Sequence, residues 1–194
     1  MRPSRFSIWC IAGLAGVCGA ALLGSAYWRP VHFLDERIEA DIHPESITIT
    51  GTYHYKNTSV FPRIELLQIP FPSRSDWPPP FEVAAGDAKK ESYSLKIFRV
   101  FGEYHLPVFF APHGERHVRI RYSQKTPLHE GCYLITTTLQ WKRPLEKADF
   151  VARMHGVRLV KSNYALETLT GNTLGFSRIR FMPQEDWIFK WEVL

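Results

Sequence analysis

Residues 47–55 read ITITGTYHY, a stretch in which two kinds of side chain alternate. One parity holds Ile47, Ile49, Gly51, Tyr53 and Tyr55, whereas the other holds threonines and a histidine. A period of two is typical of a β-strand with one buried face, because successive side chains point to opposite sides of the strand. The stretch therefore predicts a strand whose isoleucines and tyrosines enter a core.

The same alternation recurs downstream and predicts further strands. It is found in residues 38–42, 118–122, 178–181 and 187–193, and residues 146–154 fit it better than they fit a helical period. Residues 95–100 are apolar on both parities, which predicts a central strand. Residue types that favour chain reversals lie between the strands at four places: 57–59, 85–87, 112–114 and 170–172. Short strands separated by turns predict an all-β sandwich of about ten strands.

The N-terminal segment, residues 6–28, is apolar and carries no charged side chain. Its 23 residues are long enough to cross a hydrocarbon core of about 30 Å as a helix. Arg2 and Arg5 precede it, which favours a cytoplasmic tail and an exported C-terminal domain. The alternative is a cleaved signal peptide, with Gly24, Ser25 and Ala26 as the small residues before the cleavage site.

We therefore predict a membrane anchor over residues 1–28, a juxtamembrane linker over 29–35 and an extracytoplasmic domain over 36–194. The lipid bilayer is the first predicted partner, contacted through residues 6–28. Small residues recur every fourth position in that segment and would let a second helix approach closely, so Gly16 and Ala20 are candidate interaction residues. Cys132 is the one cysteine outside residues 1–28, and we expect it to be a small buried side chain.

His113 and His117 lie four residues apart, a spacing that metal sites use when both side chains project from one helix. Pro112 and Gly114 oppose a helix here, and in an extended strand the same spacing separates the side chains by roughly 13 Å. We therefore expect a turn that leads into a strand, with His117 facing water and Val118 facing the core. The two histidines remain weak metal candidates.

No motif for catalysis or cofactor binding is found in the sequence. It contains no nucleophile elbow, no H-E-x-x-H or C-x-x-C motif, no phosphate-binding loop and no dinucleotide fingerprint. Neighbouring acids such as Glu36 and Glu39 are read as solvated charges. The formal net charge of +5 includes no cluster typical of nucleic-acid binding. We predict no enzymatic activity, no cofactor and no nucleic-acid partner.

Residues 71–82 include three successive prolines, which donate no backbone hydrogen bonds and so predict a stiff surface loop. Trp77 and Phe81 lie in this loop. Large aromatic side chains on a stiff loop are plausible contacts for a partner protein or a glycan. The alternative is that both side chains fold back and cover an edge of the sandwich.

Two longer runs carry a resemblance to a known class of proteins. They read ITITGTYHYKNTSVFPRIELLQIPFP and FFAPHGERHVRIRYSQ, and YLITTTLQWKRPLEKADF continues the pattern. Together they resemble membrane-anchored bacterial proteins with an exported immunoglobulin-like β-sandwich domain. In that pattern Gly114 matches the turn glycine and Tyr122 the inward aromatic. The resemblance implies an immunoglobulin-like antiparallel sandwich and an envelope location, and it implies no catalytic residues.

These observations lead to a single-pass membrane protein whose exported domain has an interaction or accessory role in an envelope complex. The alternative is a module that binds a glycan or another envelope ligand through Trp77 and neighbouring aromatics. A third possibility is a metal-handling or hydrolytic protein.

Overall fold

A computed structural model describes residues 29–72, 77–90 and 92–194. Residues 31–194 form one compact unit. The predicted anchor, with Gly16 and Ala20, lies outside the described residues. Within the described ranges, no helix is both long enough and apolar enough to cross a bilayer.

The described chain is nearly all β-structure, which confirms the predicted class. It has one short 3₁₀-helix, Ile135–Trp141, and fourteen strands, more than the ten expected. The strands are β1 (Val31–Ile42), β2 (Ser46–Asn57), β3 (Arg63–Ile69), β4 (Glu82–Asp87), β5 (Ser92–Leu95), β6 (Phe98–Val100), β7 (Glu103–Phe110), β8 (Glu115–Lys125), β9 (Glu130–Tyr133), β10 (Leu145–Met154), β11 (Val157–Ser162), β12 (Glu167–Thr170), β13 (Thr173–Phe181) and β14 (Trp187–Val193).

Eight strands form one large sheet in the order β12, β13, β10, β1, β2, β8, β4, β5. Two smaller sheets have the orders β11, β14, β9 and β3, β7, β6. The neighbouring strands pair antiparallel, except that β1 and β10 run parallel. The prediction of a fully antiparallel sandwich is wrong at this pair. β1 and β10 are not joined by a hairpin; strands β2 to β9 lie between them in the chain, and so long a connection allows the two strands to run parallel.

The two small sheets pack against one face of the large sheet and enclose a single hydrophobic core. Tyr55 of β2 meets Phe110 of β7 at 6.3 Å between ring centroids. Phe150 of β10 meets Trp187 of β14 at 5.7 Å. The sandwich-like arrangement follows from these contacts, since each sheet buries one apolar face against another.

Strand β2 forms as its sequence predicts. Ile47, Ile49 and Tyr55 are buried, and the threonines between them are partly exposed on the other face. Strand β8 shows the same pattern, with Val118 and Tyr122 buried. Strand β10 confirms that residues 146–154 are extended rather than helical.

Three local predictions are wrong. Residues 31–35 belong to β1 rather than to a linker, because Val31 and Phe33 already alternate into the core. Residues 95–100 do not form a central strand, since the chain leaves edge strand β5 at Leu95 and enters edge strand β6 of another sheet at Phe98. Residues 85–87 lie within β4 and pair with β8, so the reversal comes after Asp87.

The other predicted turns are confirmed. Residues 170–172 join β12 to β13, and Gly171 has a φ of 52° there. In the turn from β7 to β8 the left-handed position, with a φ of 51°, is taken by His113 rather than by Gly114. This turn carries the chain from a small sheet into the large one. Cys132 is buried, as expected.

The end of β2 is fixed by the side chain of Asn57, which is fully buried. Its amide nitrogen donates to the carbonyl oxygens of Phe61 and Ala111, both at 2.9 Å. Its amide oxygen accepts a hydrogen bond from the backbone N–H of Ser59 at 2.9 Å. One side chain thus joins β2, the loop that follows it and the turn between β7 and β8.

Candidate functional site

The structure separates the two aromatics of the predicted contact loop. Trp77 is 7% exposed, whereas Phe81 is 63% exposed. The loop is held against β8 by the buried side chain of Gln124, which donates to the carbonyl oxygen of Pro78 at 2.6 Å. The indole of Trp77 is therefore turned inward. A contact role for Trp77 stays a prediction, and Phe81 is the loop aromatic that faces outward.

The structure does not bring His113 and His117 together as one ligand group. His113 lies in the turn and donates its backbone N–H to the carbonyl oxygen of Ser59. His117 lies in β8, where its ring stacks on the ring of His54 at 4.1 Å between centroids. The spacing of four residues therefore does not identify the partner of His117, which is His54, directly opposite it on β2.

His54, Glu115 and His117 form the one group of three metal-ligating side chains in the described ranges whose ligand atoms lie within 4.8 Å of one another. Nδ1 of His54 lies 3.0 Å from Oδ2 of Asp35. Nε2 of His54 lies 3.2 Å from Oε2 of Glu115, whose other oxygen lies 3.1 Å from Nζ of Lys56. We call these three residues the histidine–glutamate cluster.

The charges in this cluster are set by its neighbours. Partial burial lowers the pKa of His117, and the charges of His54 and Lys89 lower it further. Hydrogen bonds from Lys56 and His54 lower the pKa of the Glu115 carboxyl. At neutral pH the cluster therefore presents an uncharged imidazole beside a carboxylate, the forms in which both side chains bind metals.

A second candidate site is the side of the small sheet β3, β7, β6 that faces away from the core. Ile64 on β3 lies directly opposite Phe109 on β7, and Leu66 lies opposite Pro107. Their side chains are exposed, with Ile64 at 71% and Phe109 at 52%. We name this surface the outer apolar face; its residues are Ile64, Leu66, Phe98, Val100, Pro107 and Phe109.

Adjoining loops extend the outer apolar face. Val60 and Phe61 precede β3, Phe101 follows β6, and all three side chains are exposed. Soluble proteins rarely leave large contiguous apolar surfaces in water, and those that do use them to bind other molecules. The extent of this surface therefore indicates a binding site.

Exposed arginine side chains lie on the small sheet and on the strand that follows it. Arg63 and Arg99 are exposed on the two edge strands of the small sheet. Arg116 is exposed on the next strand and donates from Nε to the carbonyl oxygen of Phe109 at 2.9 Å. The carboxylate of Glu103 at one end lies 3.5 Å from His105. By strand parity Arg63 and Arg99 project from the other side of the small sheet, so Arg116 is the arginine that lies beside the face.

Glu36 is a buried acid on the core side of β1. It is 3% exposed, and its Oε1 atom has no hydrogen-bond partner among the described residues. It lies opposite Tyr53, whose hydroxyl lies 3.0 Å from that of Tyr133. Burial raises the pKa of Glu36 to about 8, so its carboxyl is largely protonated at neutral pH. The prediction of a solvated charge is wrong for this residue.

A surface cavity of about 330 Å³ lies where β1 and β10 begin. His32 and Arg143 contribute its basic groups, with Nη1 of Arg143 at 3.4 Å from Nδ1 of His32. Glu146 contributes a carboxylate. The other lining residues are Phe33, Leu34 and Pro144.

Comparison with known proteins supports the fold and assigns no function. No protein-family profile matches the sequence, and no curated protein is similar to it. A crystal structure from Legionella pneumophila, provisionally named a nutrient binding protein, superposes with a TM-score of 0.61 at 11% identity over 84% of this chain and 67% of that one. The M1 zinc metallopeptidase of Deinococcus radiodurans gives a TM-score of 0.46 at 10% identity, over 84% of this chain and 43% of the peptidase.

Sequence reasoning missed the outer apolar face and, of the histidine–glutamate cluster, named only His117. Residues 63–69 include apolar side chains on both parities. This pattern indicates a strand with apolar side chains on each face, and it could have been used. Nothing local to residues 47–57 indicates that His54 lies opposite His117, because strand pairing depends on the topology.

Proposed function

We propose that the protein is a membrane-anchored, extracytoplasmic β-sandwich that binds a protein partner of the envelope through its outer apolar face. The apolar N-terminal segment supports the anchor and the exported location. The sandwich-like sheets are compatible with the immunoglobulin-like relationship that the resemblance implies. The observation that carries the proposal is the exposed cross-strand pair of Ile64 and Phe109 on an apolar sheet face.

The chemistry of the surface defines the partner. A partner must cover side chains that are apolar, so the centre of its own surface is apolar as well. Because Arg116 lies beside Phe109 at one end of the face, a carboxylate at that part of the partner's margin would give complementary charge and speed association. We therefore infer a protein with an apolar patch and a carboxylate at its margin. The role is one of binding, and no reaction is assigned to the chain.

A double substitution in the outer apolar face tests this role. Ile64→Ser with Phe109→Ser removes two exposed apolar side chains that pair across β3 and β7, and we expect it to weaken the complex at least tenfold, as loss of large apolar interface residues commonly does. Because both side chains are exposed in the isolated chain, its thermal stability should change little. The measurement is the size of the full-length protein on native gels of solubilised membranes.

Ile179→Ser is the matched control, since Ile179 is an equally exposed isoleucine that lies on β13 of the large sheet. It should leave the complex intact. A complex that survives the double substitution, or that the control disrupts equally, would refute the proposed surface.

The alternative function is binding of a glycan or another small envelope ligand. Since Trp77 is buried, the cavity beside His32 and Arg143 is the better location for such a ligand. An oligosaccharide that raises the melting temperature of the full chain, but not of an Arg143→Ala variant, would favour this alternative.

A further inference from the structure

The histidine–glutamate cluster lies on the polar side of the large sheet, away from the outer apolar face. Asp35, His54 and His117 are directly opposite one another on β1, β2 and β8. Lys56 and Glu115 form the next opposed pair between β2 and β8. Opposed residues on neighbouring strands have Cβ atoms about 4.5–5.5 Å apart, so their side chains can bind a common ion.

Nε2 of His54 is the ring nitrogen that faces the other members of the cluster. Both nitrogens face carboxylate oxygens, Asp35 at 3.0 Å and Glu115 at 3.2 Å. A neutral imidazole donates from one nitrogen and presents a lone pair on the other. A ring that carries two protons donates to both carboxylates; in the neutral ring with Nδ1–H donating to Asp35, the Nε2 lone pair points toward Glu115, where a metal ion can take the place of the second proton.

Asp35 and Lys56 support such an ion without binding it. Metal-ligating histidines usually donate their second ring N–H to a carboxylate, which fixes the tautomer and the orientation of the ring. Asp35 has this position relative to His54. Lys56 holds Oε1 of Glu115 at 3.1 Å and leaves Oε2 directed at His54.

We propose that His54, His117 and Glu115 bind a divalent transition-metal ion of the zinc type. Two imidazoles and one carboxylate are a ligand set that suits Zn²⁺, with bonds of about 2.0–2.2 Å. The ligand atoms lie within 4.8 Å of one another, and the farthest pairs must approach by up to about 1.5 Å to reach tetrahedral separations. The stacked ring of His117 must also turn so that a nitrogen lone pair points at the ion. Solvent supplies the fourth ligand, because the cluster is partly exposed.

The test is a titration of the full-length protein with ZnCl₂, followed by calorimetry. The protein is purified in detergent with a tag that contains no histidine and is treated with a chelator beforehand. We expect one Zn²⁺ per chain. His54→Ala and His117→Ala should each weaken binding about 100-fold, and Asp35→Asn about tenfold because it only orients His54.

Two further variants keep the test decisive. Glu115→Gln removes a ligand from an exposed side chain, so it should lose binding with an unchanged circular dichroism spectrum. His155→Ala is the control, because His155 also stacks on a histidine, His43, at 4.5 Å and lies beside Asp41 but belongs to no three-ligand group within the part of the chain that the structure describes. Absence of Zn²⁺ binding, binding that survives the loss of His54 or His117, or equal weakening by His155→Ala would overturn the proposal.

Discussion

Between about pH 5 and pH 9, Glu36→Gln is expected to become progressively more stable than the native protein. The folded state holds the proton of Glu36 up to a pKa of about 8, whereas the unfolded chain releases it near its ordinary value of 4.5. In that window the unfolded state binds fewer protons, so rising pH destabilises the native protein by about 1.4 kcal/mol per pH unit. The full difference is about 5 kcal/mol, and glutamine, which cannot ionise, does not incur it.

The measurement is the free energy of unfolding of both proteins in urea across this pH range. The value for the variant is subtracted from the value for the native protein at each pH, so that the contributions of the other titrating groups cancel. The two should agree within about 1 kcal/mol at pH 5, since this pH lies only about half a unit above the unfolded pKa and little of the difference has accumulated. A constant difference from pH 5 to pH 9 would show that Glu36 ionises normally and is not buried as described.

Glu39→Gln is the matched control on the same strand. Partial burial opposes ionisation of Glu39, but the hydrogen bonds and charges of Arg37 and Arg153 outweigh it and lower its pKa. The Glu39 carboxylate therefore stabilises the fold above its ordinary pKa, and this contribution is lost as the pH falls. Its replacement should cost stability at neutral pH, the opposite sign to Glu36→Gln.

Asn57→Ala is expected to lower the free energy of unfolding by about 3 kcal/mol. The substitution removes two donated hydrogen bonds and one accepted one, and it leaves the carbonyl oxygen of Phe61 and the N–H of Ser59 without these partners, whereas the carbonyl oxygen of Ala111 still accepts from the N–H of Gly114. Unsatisfied buried groups cost more than the net value of a hydrogen bond, because their desolvation is no longer offset. Chemical denaturation of the full chain measures the loss.

Two further variants test whether the loss of stability is specific to Asn57 or follows from any substitution in this turn. Ser59→Ala removes a single acceptor, the Oγ that binds the N–H of Phe61, and should cost about 1 kcal/mol. Asn57→Asp keeps the acceptor for Ser59 but places a carboxylate against two carbonyl oxygens, so it should be at least as damaging as alanine. If Asn57→Ala costs no more than Ser59→Ala, the junction does not depend on Asn57.

The sequence predicts those parts of the fold that depend on local alternation. Strands β2, β8 and β10 were found because one face is apolar and the other polar. The prediction failed at Glu36, although its parity with Ile38 and Ala40 points it into the core. The prediction rested on glutamate being an acidic residue type and ignored its position on the buried side of the strand. Burial is what raises the pKa of Glu36.

The candidate sites depend on pairing between distant strands, which the sequence does not specify locally. Residues 95–100 continue one apolar pattern across two edge strands in different sheets, so the pattern alone could not show where the chain leaves the first sheet. In the same way, the opposition of His54 to His117 is set by the register between β2 and β8. Trp77 was placed correctly in a loop, but its burial depends on Gln124 and the loop's docking against β8.

The most direct test of the proposed function is photo-crosslinking from the outer apolar face in native membranes. A photoreactive phenylalanine analogue replaces Phe109 in the full-length protein, and Ile179 is replaced in a parallel control. We predict a crosslink from position 109 to one protein of defined mass, absent from position 179, whose crosslinked segment is apolar and flanked by a carboxylate. Crosslinks from position 109 only to lipid or to a second copy of the chain, or the same products from position 179, would contradict the account.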